Sequence, residues 1–260
     1  MSSPPSQCLS TRPTDSIPPS SPRQQYTSCF CTQRCLRGLQ QRGALDHLCP
    51  NVHLHRHGQE SDRHCINAKR LVQLLKEQLD QDLDHNCTPF GDCESYYRGA
   101  PFKITCAKYG YTVVGKGTTS RLWKEVSREA EVYHFLQNIQ GVAATAFLGA
   151  IDLNMIYFLH GAGEIRHMLL MAWGGERIRP GERLAEISRS TKLIRKLGVV
   201  HGDLRLQNML WNEEVKKVLI IDFHQSQIKP QLMGERSHSL KRSRGVDESG
   251  ESKRRRLLCT

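Results

Sequence analysis

Residues 199 to 208 read Val199-Val200-His201-Gly202-Asp203-Leu204-Arg205-Leu206-Gln207-Asn208, and a little further on comes Leu219-Ile220-Ile221-Asp222. An aspartate, an asparagine five residues later and an apolar run ending in a second aspartate leave few folds open. The pattern suits phosphoryl transfer. One carboxylate orients an attacking hydroxyl, while an amide oxygen and a second carboxylate hold magnesium against nucleotide phosphates. The flanking sequence supplies a scaffold for this. Met209-Leu210-Trp211 and Val218-Leu219-Ile220-Ile221 read as two strands around a polar turn at Asn212-Glu213-Glu214, which returns Asp222 to the side of Asn208. Ahead of them, Leu184, Ile187, Thr191, Ile194 and Leu197 fit one face of a helix that Gly198 can stop.

These residues resemble the protein-kinase-like superfamily. His201-Gly202-Asp203 is similar to its catalytic loop, and Asp222-Phe223-His224 to its magnesium-binding triplet. Ala162-Gly163-Glu164 and Leu169-Leu170-Met171-Ala172-Trp173-Gly174-Gly175-Glu176 resemble a group of ascomycete kinase-like proteins of unknown substrate. The resemblance spans roughly residues 100 to 228 and is most specific in its second half. It implies an α+β, two-lobed kinase-like fold with a truncated C-terminal lobe, to which composition adds disordered N- and C-terminal tails. It also implies ATP and magnesium as cofactors and a hydroxyl-bearing substrate, protein or small molecule.

On that resemblance each candidate residue takes a role. Asp203 orients the substrate hydroxyl, Arg205 neutralises charge on the transferred phosphate, and Asn208 with Asp222 holds magnesium. The strand Tyr111 to Lys116 places Thr112, Val114 and Lys116 on one face, and Lys116 is the nucleotide lysine. Its partner is expected on the next helix. There Leu122, Val126, Glu129, Tyr133 and Leu136 recur at helical spacing, so Glu129 falls in an apolar stripe where a carboxylate needs a cation. Glu125 or Glu131 would serve if the stripe were shifted. His167 to Met171 reads as a buried strand and Ala172 to Gly175 as the adenine-reading hinge, with Met171 as gatekeeper and Trp173 beside the nucleotide.

Composition sets the frame. At 260 residues and 38% apolar, the chain suits one sizeable core with appendages. The expected organisation is a Ser/Pro-rich disordered head at 1–27, a Cys/His-rich module with an amphipathic helix at 28–90, a kinase-like domain at 91–230 and a basic tail at 231–260. Leucines at 71, 74, 75, 79 and 83 mark the helix, expected over Ile66 to Leu83, as a packing element. Gly141 to Ile151 is too short to span a bilayer and no secretory leader is visible. The expected setting is therefore the nucleus or cytoplasm, with no membrane partner. Much of the +11 net charge lies in Lys241-Arg242 and Lys253-Arg254-Arg255-Arg256, spaced like a bipartite signal for a nuclear-import receptor. No aromatic residues interleave with these charges, so specific nucleic-acid binding is not expected.

In the Cys/His-rich module, Cys31, Cys35, Cys49 and His55 have residue types that suit a tetrahedral zinc site. Cys29, His53, His57, His64 and Cys65 blur the count, and the alternative is ordinary buried thiols beside a His-rich loop.

Three departures from the family pattern keep a second reading open. Gly91, Gly99 and Gly110 do not form a glycine-rich phosphate loop, His224 stands in place of the triplet's glycine, and no activation segment ends in an APE-like motif. Small atypical kinases of tRNA-modification complexes offer an analogy for a short, competent C-terminal lobe. The two readings are an ATP- and magnesium-dependent phosphotransferase, and a pseudokinase scaffold that binds nucleotide weakly or not at all.

Overall fold

The computed structural model describes residues 29–58, 60–91 and 99–229. The head at 1–27 and the basic tail at 231–260 lie outside these residues. Five strands form one antiparallel sheet in the order β1-β2-β3-β5-β4: β1 (Cys87–Pro89), β2 (Ala100–Thr105), β3 (Thr112–Thr119), β4 (Phe147–Leu159) and β5 (Gly163–Met171). Helix α4 (Ser120–Phe135) follows β3 directly and packs against this sheet. Beyond the hinge after Met171 come β6 (Glu176–Arg177), α5 (Leu184–Lys196), β7 (Val199–Val200), the hairpin β8 (Met209–Asn212) with β9 (Lys217–Ile220), and β10 (Gln227–Ile228) paired with β7. The arrangement is the expected α+β, kinase-like one. Among the described residues, α5 is the one helix beyond the hinge longer than three residues.

The two faces of β3 explain its composition. Val113, Gly115 and Gly117 face one core, and Val114 and Lys116 face the other. A Cβ on Gly115 would lie 2.5 Å from Ile104 Cδ1, and one on Gly117 would lie 2.6 Å from Phe102 Cε2. Glycine on both sides of the lysine lets the bulky β2 side chains close over that face, at the usual cost in backbone entropy.

The N-terminal module is part of the same body as the sheet. Helices α1 (Gln33–Gln41), α2 (Val52–His55) and α3 (Ala68–Gln81) precede β1. Cys31, Cys35, Leu36 and Leu39 share a core with Leu71, Leu75 and Leu79 of α3 and with Phe102, Ile104 and Val113 of the sheet. This core extends on both sides of the boundary expected at residue 90. Cys87–Pro89 is an edge strand hydrogen-bonded to β2, because Thr88–Gly91 breaks the chain locally without ending the sheet. Helix α3 begins at an Asn67 cap, whose side chain accepts from the Arg70 amide, and lays its leucine stripe on β4. Leu71, Leu75 and Leu79 are fully buried, so α3 packs as expected. Leu75→Ala should cost about 2–5 kcal/mol in urea denaturation. A loss under about 0.5 kcal/mol would mean that α3 is detachable.

Candidate active site

Lys116 projects from β3 into the gap between α4 and the segment after β9. Its Nζ lies 2.5 Å from Glu129 Oε2 and 2.5 Å from Asp222 Oδ1. Glu129 is fully buried, as its place in the apolar stripe of α4 requires, and its other oxygen has no hydrogen-bond partner among the described residues. The shifted alternatives, Glu125 and Glu131, do not take part in this pair.

Asp222 is held in the left-handed region, at φ 67° and ψ 57°. That conformation is uncommon outside glycine but most accessible to Asp and Asn. His224 Nδ1 lies 2.7 Å from Asp222 Oδ1, so the histidine in place of the family's glycine buttresses the carboxylate. Phe223, between them, is fully buried. Its ring meets Tyr133 of α4 edge-on at 5.1 Å and His201 at 4.8 Å, which ties the lysine's partner helix to the catalytic loop.

Hydrogen bonds between backbone and side chains fix the loop from 201 to 208. His201 Nε2 lies 2.8 Å from the Ile221 carbonyl, and the Ile221 amide donates to the Asn208 carbonyl. Gly202, at φ 81°, passes so close to Gln225 that a Cβ would lie 2.6 Å from its carbonyl oxygen. Asn208 Nδ2 donates to Asp203 at its carbonyl (3.0 Å) and at Oδ2 (3.2 Å), which turns the amide oxygen the other way. Arg205 grips Asp203 with Nε and Nη2, each at 2.6 Å.

The electrostatics follow from this packing. Burial works to raise the Asp222 carboxyl, but the Lys116 charge and the hydrogen bonds from His224 and Lys116 outweigh it and hold the group well below the carboxylate range. Burial pushes Glu129 up, against the opposing Lys116 charge. For Lys116 burial favours the neutral amine, yet the two carboxylates prevail and raise it. Asp203 is lowered, mainly by its hydrogen bond from Arg205. Asp222 and Asp203 are thus both anionic at neutral pH.

The donor set fits magnesium and a nucleotide. Asp222 and Asn208 offer hard oxygens. Gly99, one residue before β2, lies over the lysine: a Cβ there would sit 2.8 Å from Lys116 Cγ. Gly99 therefore packs directly on the stem of the lysine.

Met171 ends β5 inside the inner core, where its sulfur accepts from the Tyr133 hydroxyl at 3.8 Å. Trp173 is in the hinge. Its ring stacks on Phe30 at 5.6 Å and 2°, and its carbonyl accepts from Gln33 Nε2 at 2.9 Å and Asn212 Nδ2 at 3.4 Å. The hinge is thus held from behind by α1, an arrangement the sequence did not signal. A separate cavity of about 750 Å³, lined in part by Thr119, Arg121, Glu164 and His167, opens at the far end of β3 and contains none of these residues.

The Cys31, Cys35, Cys49 and His55 side chains also come together, buried at the opposite end of β3. Cys29 is exposed, and His64 bonds the Tyr111 hydroxyl instead.

This geometry is kinase-like in its layout, and comparison with known proteins agrees at that level. Residues 176–236, which include the loop from 201 to 208 and Asp222, match the RIO domain, a kinase-like family. Over 220 residues the chain is 37% identical to the meiotic driver SPOK2 of Podospora anserina, covering 81% of this chain and 27% of that relative. The chain therefore corresponds to about a quarter of the relative's length.

Proposed function

We propose that this chain is an ATP- and magnesium-dependent phosphotransferase that moves the γ-phosphate to a hydroxyl group. The observation that supports it most strongly is Lys116 Nζ at 2.5 Å from both Glu129 and Asp222, with Asn208 hydrogen-bonded to Asp203 close by. When bound, magnesium would neutralise charge on the nucleotide's phosphates. Asp222 and the Asn208 amide oxygen are the residues that would hold it. Lys116, kept protonated by two carboxylates, binds phosphate oxygens as it exchanges its Asp222 contact. Asp203 accepts or orients the proton of the attacking hydroxyl, and Arg205 is placed to offset developing negative charge. Because the matched relative is named a meiotic driver, the whole protein in which this unit works is proposed to be of that kind.

One observation favours the second reading, a scaffold without turnover: Arg205 occupies both carboxylate oxygens of Asp203. Following γ-phosphate loss from ATP by the purified chain, with and without magnesium, separates the two. Magnesium-dependent turnover supports the phosphotransferase. No phosphate loss, with magnesium–nucleotide binding weak or absent in a folded chain, selects the scaffold.

A further inference from the structure

We propose that Cys31, Cys35, Cys49 and His55 hold one structural zinc ion, and that this ion sets the turn with which the N-terminal module grips the hinge and the lobe beyond it. Neither half depends on the phosphotransferase reading.

The ligand atoms are already assembled. One atom from each of the four residues lies within 4.8 Å of all the others, and all four residues are buried. His55 Nε2 is 3.5 Å from Cys31 Sγ and 3.3 Å from Cys49 Sγ. In a tetrahedral site with Zn–S near 2.3 Å and Zn–N near 2.0 Å, such ligand atoms stand about 3.5 Å apart. A soft Cys₃His set suits zinc and not the hard cations that the Asp222 site suits.

The surroundings orient the donors as a metal requires. His55 Nδ1 lies 2.8 Å from the Tyr109 carbonyl, which can only accept, so the proton sits on Nδ1 and the Nε2 lone pair faces the sulfurs. The Thr112 amide points at Cys31 Sγ from 3.2 Å and Asn51 Nδ2 from 3.5 Å, both donors suited to a thiolate. His55 belongs to a helix of four residues with no side-chain cap, too short to hold itself. Three thiols cannot all be satisfied by one disulfide, and the structure has none among them.

The residues between the first two ligands reach the hinge and the far lobe. Thr32 caps α1 by accepting from the Cys35 amide. Gln33, buried, donates from Nε2 to the Trp173 carbonyl and accepts at Oε1 from the Ala146 amide, at 2.9 Å in each case. The Gln33 and Arg34 amides, at the start of α1, donate to the two carboxylate oxygens of Glu214 in the β8–β9 turn, at 2.6 and 3.0 Å. Phe30, one residue before Cys31, stacks on Trp173. Chain fixed at Cys31 and Cys35 is therefore the chain that contacts both sides of the hinge.

The test uses the full chain purified in reductant without chelator. Metal analysis should find about one zinc per chain. Cobalt exchanged into the site should give thiolate charge-transfer absorption and tetrahedral ligand-field bands. Cys35→Ser and Cys49→Ser should lose the metal, whereas Cys65→Ser, whose sulfur bonds the Arg56 carbonyl, should keep it. Soluble, folded wild-type protein with under about 0.2 zinc per chain, or an octahedral cobalt spectrum, overturns the site. The grip is read by hydrogen exchange. Removing the metal should speed exchange over 143–148, which contains the Ala146 amide, by about tenfold while leaving α5 unchanged. A bound zinc whose removal leaves 143–148 as protected as before overturns the coupling to the hinge.

Discussion

Asp203→Ala lowers turnover by about 10²–10⁴-fold, the usual contribution of a positioned proton acceptor. Its affinity for magnesium–ATP changes by less than about threefold, because Asp203 is not among the groups that meet the phosphates or the metal. The structure gives a reason to expect this split. Asp203 is held by Arg205 and Asn208, while Lys116, Glu129 and Asp222 form a separate ion cluster whose bonds do not pass through it. Parallel steady-state kinetics and calorimetric titration check the result. Equal losses in affinity and turnover would show that Asp203 supports the nucleotide site itself. Arg205 adds a pH signature. It lowers the Asp203 pKa, and the base form is the active one, so the acidic limb of the rate profile lies below the ordinary carboxylate range. Arg205→Ala moves that limb upward.

Lys116→Met destabilises the fold by about 2–3 kcal/mol. Breaking a buried pair commonly costs about 3–5 kcal/mol because one charge is left without a counter-ion. The lower figure applies here because Asp222 keeps His224 and some contact with solvent. Glu129 is the group that suffers, since among the described residues its Oε1 has no partner and its Oε2 would lose its bond from Lys116. Adding Glu129→Leu should therefore recover most of the loss, with a coupling of at least about 1 kcal/mol in a urea-denaturation cycle. Additive losses would mean that the two residues do not form the pair. Nucleotide binding should be lost in both variants, since the rescue restores packing and not the phosphate ligand.

The half of the candidate site around Asp203 was legible because its residues are local in sequence. Asp203, Arg205 and Asn208 lie within a single loop, and the β8–β9 hairpin returns Asp222 to it over a short span. Lys116 and Glu129 could be read from two periodicities, alternation in β3 and the apolar stripe of α4, because a carboxylate in such a stripe demands a cation. The Cys/His cluster could be proposed from residue types, although only the fold distinguishes His55 from His53 and His57.

Other features left no local trace. Gln33 and Glu214 are 181 residues apart, and nothing near either one signals the other. Gly99 reads as an ordinary loop glycine until its position over Lys116 is known. The three-residue strand β1 sits among residues that break chains, so its pairing is set by β2 and not by its own propensity. His224 read as a lost glycine and proves to be a support for Asp222.

On the proposed function, Lys116, Asn208 and Asp222 form an assembled site for a metal-bound nucleotide. The most direct measurement is the thermal stability of the full chain titrated with ATP, with and without magnesium, beside Asp222→Ala. At about a hundredfold excess over Kd the ligand should stabilise the wild type by about 2.7 kcal/mol, seen as a higher Tm only when magnesium is present. Asp222→Ala should lose that rise. A folded wild type with no magnesium-dependent shift, or a shift that survives in Asp222→Ala, would contradict it.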